Sequence, residues 1–152
     1  MLPYSNKLKN VFVNDFSKDI IKIFKKSDFL ISASLKEAQS LVIIQALASG
    51  KPVIGLENET ITELINNKNG KSLPKKTTPK KFAYYILDFV KNCNYKSLSK
   101  NARQDASKFK IENVSLEIEK MYDSATHTNS KYGRRNVSKY YQEILKRIIV
   151  QK

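Results

Sequence analysis

Two hydrogen-bonding side chains, Glu37 and Gln45, stand eight positions apart in the segment "SLKEAQSLVIIQALASG". Gln45 lies within a run of apolar residues, and a helix that is apolar all round is normally buried. Because a buried amide without a partner costs about 1–3 kcal/mol, we expect Gln45 to bond to the backbone, to water or to a ligand. Both side chains are then predicted to face one crevice. The alternative is structural: Glu37 only caps the helix, and Gln45 bonds to a neighbouring backbone carbonyl.

The loop before this helix has the chemistry of an anion site. It follows the predicted strand "FLISA" and leads to a helix start near Ser40. In an open parallel sheet, ligands bind outside the carboxyl ends of the strands. The free backbone N–H groups of Ser40, Leu41 and Val42, together with the helix dipole, favour a phosphate or another anion there. A role for Ser40 as a simple helix cap is the alternative.

The charge of the chain also indicates an anionic partner. The 152 residues carry a net charge of +14, and residues 64–110 contain twelve Lys or Arg against Asp88 and Asp105, a net charge of +10. Such a balance fits a phosphate-bearing ligand, an anionic lipid surface or nucleic acid. A solvated lysine-rich face explains it equally well. Nucleic acid is the least favoured partner, because no recognition-helix or aromatic-basic sheet signature accompanies the charge.

Composition limits the class of protein. With 41% hydrophobic and 28% charged residues, the chain is expected to be globular. The longest apolar run, "LVIIQALA", is too short to cross a bilayer, and the segment "MLPYSNKLKN" lacks the apolar core of a signal peptide. The single Cys93 fits a reducing compartment, and no His or Cys lies at metal-ligand spacing around it. We therefore expect a cytoplasmic protein, soluble or peripheral on the cytoplasmic face of the membrane, with no metal or other cofactor.

The first half of the sequence alternates short apolar runs with helical patterns. A short strand is predicted at 10–14, followed by a helix from Ser17 with an apolar stripe of Ile20, Ile23 and Phe24. The later predicted elements are a strand at 28–34, a helix at 40–49 ended by Gly50, a strand at 51–56, a helix at 60–67 closed by Asn69 and Gly70, and an edge strand at 71–74. This order predicts an α/β fold with a Rossmann-like parallel sheet and flanking helices.

The second half is predicted to be helical. From Thr78 onward an amphipathic stripe is formed by Phe82, Tyr85, Ile86, Phe89 and Val90. A second helix is predicted at 95–108, and a third carries on one face Val114, Ile118, Met121 and Tyr122. We therefore predict a partial Rossmann-like domain at 1–125, a linker at 126–135 that contains His127, and a basic amphipathic C-terminal helix at 136–152.

The stretch "SDFLISASLKEAQSLVIIQALASGKPVIGLENETITELINNKNGKSLP" resembles the donor-side signature of GT-B fold retaining glycosyltransferases of group 1, also called family 4. In that family a strand ending in Ser leads to two Glu separated by seven residues, then to Ala-Met/Leu-Ala-x-Gly-x-Pro-Val, and then to a helix with Glu before Asn-Gly. The residues in register here are Ser34, Glu37, Ala46, Leu47, Ala48, Gly50, Pro52, Val53, Glu63, Leu64, Asn69 and Gly70. The closing helices, with Tyr122, are similar too, so the resemblance covers residues 10–125.

The resemblance implies a nucleotide-sugar donor site formed by Glu37, Ala38, Gln39, Ser40, Leu41, Val42 and Gln45. Glu37 matches the first family Glu, which holds hydroxyls of the transferred sugar. Residues 38–41 take the place of a Gly-Phe-Gly-Leu run whose backbone amides meet the sugar and the diphosphate. Gln45 replaces the second Glu, which usually holds the ribose hydroxyls of the nucleotide. A charge-assisted hydrogen bond thus becomes a neutral one, and weaker donor binding is expected.

The resemblance also implies what this chain lacks. The Arg and Lys that stabilise the leaving diphosphate in the family lie in earlier strand-loop-helix units, and the acceptor site lies in a separate N-terminal domain. We therefore expect no catalytic residue within the chain, little or no sugar transfer by the chain alone, and a partner chain or N-terminal domain that completes the site. The implied reaction is hexosyl transfer to a glycan or lipid-linked acceptor in cell-surface polysaccharide or glycolipid synthesis. The alternatives are an inactive remnant or regulatory fragment of such an enzyme, and a basic nucleic-acid-binding domain.

Overall fold

A computed structural model describes residues 10–12, 19–37 and 40–127 of the chain. Within these residues, β1 (Leu30–Ser32), β2 (Val53–Leu56) and β3 (Gly70–Leu73) form a parallel sheet in the order β1-β2-β3. The register places Leu30 opposite Val53, and Val53 opposite Gly70. Because β2 is central and all four of its residues are buried, it forms the middle of the core, as is typical of strands in parallel sheets.

Six α-helices lie in the described part of the chain. They are α1 (Ile20–Lys25), α2 (Leu41–Ala48), α3 (Glu59–Leu64), α4 (Pro79–Asn92), α5 (Tyr95–Ala106) and α6 (Ile111–His127), with a 3-10 turn at Ser107–Phe109. The predicted α/β fold with a parallel sheet and flanking helices is confirmed. The chain forms two compact units, Met1–Lys108 and Phe109–Lys152. The first unit contains the sheet and α1 to α5, and the division predicted at residue 125 remains a prediction.

The core is built on both faces of β2, because successive strand residues point to opposite faces. On one face Ile54 and Leu56 pack with Leu73 and with the half-buried aromatic residues of α4, Phe82 and Phe89. On the other face α2 packs against β2 and against α5. Of the stripe predicted on α4, only part reaches the core: Phe82, Ile86 and Phe89 are half-buried, whereas Tyr85 and Val90 are exposed.

Local sequence signals fix the ends of α2 and α4. Gly50 has a φ of 71°. Its N–H donates to the Leu47 carbonyl at 2.8 Å, and the N–H of Lys51 donates to the Ala46 carbonyl at 2.8 Å. This is a Schellman end, and glycine takes its left-handed backbone without strain. The predicted role of Gly50 is therefore confirmed. α4 begins directly after Thr78, as predicted, and the Thr78 side chain caps it by accepting the N–H of Lys81.

Two predictions near the N-terminus differ from the structure. Residues 10–12 form no strand, and Phe12 is exposed, while residues 13 and 14 lie outside the described residues. An apolar run becomes a strand only when a neighbour takes its backbone hydrogen bonds, and within the described residues β1 pairs with β2 alone. Asp19 caps α1 by accepting the N–H of Lys22 at 3.1 Å. Ser17, the predicted cap, lies outside the described residues.

Three helix ends also differ from prediction. α3 ends at Leu64, so Asn69 lies in the following turn and Gly70 begins β3. α5 gives way to a 3-10 turn after Ala106. α6 continues through His127, which the sequence assigned to a linker. The remainder of that linker, residues 128–135, and the predicted helix at 136–152 lie outside the described residues.

Candidate functional site

A cleft of about 440 Å³ lies beyond the carboxyl ends of all three strands. Three segments line it. The loop after β1 contributes Leu35, Lys36 and Glu37, the start of α3 contributes Asn58 and Glu59, and the loop after β3 contributes Lys75. Since parallel α/β sheets bind their ligands at this edge, the position of the cleft agrees with the position predicted for the site.

Hydrogen bonds fasten the loop after β1 to the start of α3. The buried Asn58 donates from Nδ2 to the carbonyl of Ser34 at 2.9 Å, and its Oδ1 accepts the N–H of Ile61 at 2.9 Å. Thr60 donates from Oγ1 to the carbonyl of Glu37 at 3.3 Å. One asparagine therefore caps α3 and holds the neighbouring loop, and Glu37 is positioned through its own backbone.

The carboxylate of Glu37 is the distinctive group of the cleft. Its Oε2 is buried and has no hydrogen-bond partner among the described residues. Buried polar atoms in folded proteins are normally hydrogen-bonded, and an ionised carboxylate only accepts hydrogen bonds. A ligand that supplies hydroxyl or amide donors satisfies such an atom.

The electrostatic character of the cleft is mixed. Lys36 and Lys75 bring two positive charges, and Glu37 and Glu59 bring two negative ones. The strongly basic character of residues 64–110 is thus represented in the cleft by Lys75 alone. A ligand that carries both hydroxyl groups and negative charge matches this lining better than a simple anion does.

The structure places the other predicted site residues outside this lining. Ala38 and Gln39 lie outside the described residues. Ser40 is buried at the N-cap of α2, but its side chain makes no capping hydrogen bond. Leu41, Val42 and Gln45 lie on α2 and do not line the cleft. Of the predicted pair, Glu37 is in the cleft and Gln45 is not.

The predicted burial of Gln45 is wrong. Gln45 is exposed, together with Leu41, Val42 and Ala48 on the same face of α2. The buried face carries Ile43, Ala46 and Leu47. An apolar composition does not decide which side of a helix is covered, because burial requires a neighbouring element, and α2 has β2 and α5 on one side. Ile31 of β1 is exposed as well.

Sequence reasoning missed Asn58, Glu59 and Lys75. All three lie within three residues of the end of a predicted strand, at 51–56 or 71–74. Because ligands bind beyond the carboxyl ends of all the parallel strands, the position of these residues after their strands is the signal that indicates them.

Comparison with protein families agrees with this geometry. The family model described as "Glycosyl transferases group 1" matches residues 5–105, about two thirds of the chain. The chain belongs to the group 1 glycosyltransferases. The resemblance read from the sequence is therefore confirmed, and every residue that lines the cleft lies within the matched range.

Two relatives are similar over part of the chain. Alpha-monoglucosyldiacylglycerol synthase of Streptococcus pneumoniae is 47% identical over 45 residues, which are 30% of this chain and 10% of that protein. The GtfA subunit of a UDP-N-acetylglucosamine–peptide N-acetylglucosaminyltransferase of Streptococcus agalactiae is 33% identical over 92 residues, which are 54% of this chain and 18% of that protein. The chain thus matches less than a fifth of the length of these relatives.

A solved structure shares the fold. Sucrose-phosphate synthase from Thermosynechococcus elongatus superimposes with a TM-score of 0.63 over 76% of this chain and 30% of that chain, at 22% sequence identity. This similarity supports a GT-B type of domain with a parallel sheet and flanking helices. Within the described residues, no helix combines the length and the apolar character needed to span a membrane.

Proposed function

We propose that the cleft binds the nucleotide-sugar donor of a retaining group 1 glycosyltransferase. In this proposal the enzyme transfers a hexosyl group to a glycan or lipid-linked acceptor in cell-surface polysaccharide or glycolipid synthesis. The observation that carries the proposal is the buried Glu37 Oε2, which has no hydrogen-bond partner among the described residues and lies in a cleft at the carboxyl ends of the strands. The names of the two relatives, an alpha-monoglucosyldiacylglycerol synthase and a peptide N-acetylglucosaminyltransferase, support a sugar as the transferred group.

The residues of the cleft and the start of α2 have distinct roles in this proposal. Glu37 accepts hydrogen bonds from hydroxyls of the sugar, and Lys36 and Lys75 attract the diphosphate. The backbone N–H groups of Leu41 and Val42 belong to the first turn of α2, where the Ser40 side chain makes no capping bond, so they are suited to an anion. Binding of this kind requires neither a metal nor another cofactor.

Transfer of the sugar needs groups beyond this cleft. Departure of the diphosphate creates negative charge that must be stabilised in the transition state, and the acceptor hydroxyl must be held against the sugar. In the proposal a partner chain or an N-terminal domain supplies both, on the cytoplasmic side of the membrane. The purified 152-residue chain is therefore expected to bind donor and to transfer little or no sugar.

Changing Glu37 to glutamine is expected to weaken binding of the donor about tenfold. The change keeps the shape of the side chain but replaces a charged acceptor, and a hydrogen bond to a charged group contributes about 1.5–3 kcal/mol. Calorimetric titration with a panel of nucleotide sugars, including UDP-N-acetylglucosamine, measures the loss. Glu63→Gln is the matched control, because Glu63 is exposed on α3 and does not line the cleft. Equal donor affinity of the two variants contradicts the proposed role of Glu37.

In the proposal the ribose of the donor extends from the cleft to α2, so changing Gln45 to glutamate is expected to tighten donor binding about fivefold, because a charge-assisted hydrogen bond to the ribose replaces a neutral one. Stability should stay within about 0.5 kcal/mol, since Gln45 is exposed and surface changes are usually that small. The same titration measures affinity, and urea unfolding measures stability. Gln104→Glu, at an exposed position of α5, is the control. If Gln45→Glu binds donor no more tightly than the control does, Gln45 is not part of the donor site.

A second candidate function is an inactive remnant or regulatory fragment of such an enzyme. The observation in its favour is Gln45, which stands where the family places an acid. Donor titration separates the two candidates. Perturbation of the backbone amides of Leu41 and Val42 in nuclear magnetic resonance spectra supports a donor site, and the absence of any response to every nucleotide sugar supports the remnant.

A further inference from the structure

Helix α4 has two faces with apolar residues, and only one of them meets the core. Phe82, Ile86 and Phe89 pack towards the sheet. Successive helical residues turn by about 100°, so Lys80, Tyr84, Leu87 and Lys91 fall on one line on the opposite side; we call these four residues the outer stripe. Tyr84 and Leu87 are 66% and 71% exposed. The outer stripe therefore presents an apolar pair to solvent between two lysines.

The surroundings of the outer stripe are basic. Lys81 lies beside it on α4, and Lys75 and Lys76 precede the helix, all of them exposed. Asp88 is the one acid in α4, and its Oδ1 accepts a hydrogen bond from Asn92 at 2.9 Å. Within the described residues no ion pair involves Lys80 or Lys91. A positive field thus surrounds an exposed apolar pair, and the two features have to be explained together.

We propose that the outer stripe docks on an anionic lipid bilayer. Tyrosine suits the membrane interface because its ring is apolar and its hydroxyl is polar, and leucine enters the boundary of the acyl chains. The lysines lay their apolar stems along the surface and place their ammonium groups among lipid phosphates. Nucleic acid matches the charge but offers no favourable place for an exposed leucine at the centre of the stripe. None of the four residues of the outer stripe lines the donor cleft, so the inference does not depend on the proposed function.

Sedimentation of the full chain with lipid vesicles tests the proposal. We expect binding to vesicles of equal parts phosphatidylcholine and phosphatidylglycerol, little binding to phosphatidylcholine alone, and loss of binding in high salt. The double variant Tyr84→Ser/Leu87→Ser is expected to bind at least about fivefold more weakly. Ile21→Ser is the control, because Ile21 is 57% exposed on α1. Circular dichroism establishes that both variants are folded. Unchanged binding by the double variant overturns the proposal.

A pair of charge variants separates docking by this face from attraction by the whole chain. Lys80→Glu/Lys91→Glu and Lys96→Glu/Lys100→Glu change the net charge equally, but the second pair lies on α5. We expect the first pair to abolish most binding and the second to retain it. Equal loss by both pairs means that total charge, not the outer stripe, drives binding, and overturns the proposal. Tighter binding to duplex DNA than to anionic vesicles, lost with the outer-stripe variants, overturns it in favour of nucleic acid.

Insertion of the apolar pair can be observed directly. The chain contains no tryptophan, so Leu87→Trp introduces a single reporter at the centre of the outer stripe. Its fluorescence emission is expected to shift to the blue on addition of anionic vesicles and to remain unchanged with phosphatidylcholine alone. Emission that does not respond to anionic vesicles overturns the proposal. Donor titration of the same variant is expected to match the unmodified chain, so a failure of docking and a failure of donor binding are distinguishable.

Discussion

Replacing Gly70 with alanine is expected to lower the free energy of unfolding by at least about 3 kcal/mol, the upper end of the effect of overpacking. Gly70 is the first residue of β3 and lies opposite Val53 of the central strand. A Cβ atom at this position overlaps the backbone oxygen of Val53 and comes within 3.0 Å of Ile65 Cγ2. Because the overlapped atom belongs to the backbone of a fully buried strand, removing the overlap requires a shift of the β2–β3 pairing. The requirement for glycine is therefore one of space.

Gly55→Ala is the matched control for this prediction. Gly55 also lies in a paired strand, but a Cβ there meets the end of a side chain, with Ile61 Cδ1 at 2.5 Å. A side-chain end moves more readily than backbone, so the expected loss is about 1–2 kcal/mol. Urea unfolding of the 152-residue chain measures both variants. Equal stability of Gly70→Ala and Gly55→Ala contradicts the assignment of the larger cost to the backbone contact.

The sequence predicted the elements that are determined locally. Gly50 marked the end of α2, and Thr78 marked the start of α4, because a left-handed residue and a capping hydroxyl act within a few residues of the helix end. The parallel order of β1, β2 and β3 followed from the alternation of apolar runs with helices. Glu37 was found because it follows a strand at the edge where ligands bind.

The features that the sequence missed depend on long-range packing. The burial of Gln45 was wrong because α2 is covered on one side by β2 and α5, and no local pattern states which side that is. Asn58 and Lys75 join Glu37 only through the register that sets β1, β2 and β3 side by side. Their residue types are ordinary for loops. Asn58 and Lys75 reach the cleft because of how the strands are arranged in the sheet, and the residue types of the sequence segment around each residue do not indicate this.

Replacing Asn69 with alanine is expected to lower the free energy of unfolding by about 3 kcal/mol. Asn69 has no solvent-exposed area. Its Nδ2 donates to the Leu64 carbonyl at 2.9 Å and to Asp105 Oδ2 at 2.7 Å, and its Oδ1 accepts the N–H of Asn66 at 2.9 Å. One amide thus closes the turn between α3 and β3 and ties it to α5. Alanine removes three hydrogen bonds, and each neutral bond contributes about 0.5–1.5 kcal/mol, with more for a bond to a charged group.

Aspartate at the same position separates hydrogen bonding from filling of space. Asn69→Asp keeps the shape of the side chain but removes the Nδ2 donor and sets a second carboxylate against Asp105, so its loss of stability is expected to be at least as large as that of alanine. Asn67→Ala, at an exposed position of the same turn, is expected to cost less than about 0.5 kcal/mol. Urea unfolding compares the three variants. If Asn69→Asp keeps the stability of the unmodified chain, the side chain serves only to fill the turn. A loss of stability means that the hydrogen bonds of Asn69 Nδ2 help to hold the start of β3, the strand that carries Lys75 to the cleft.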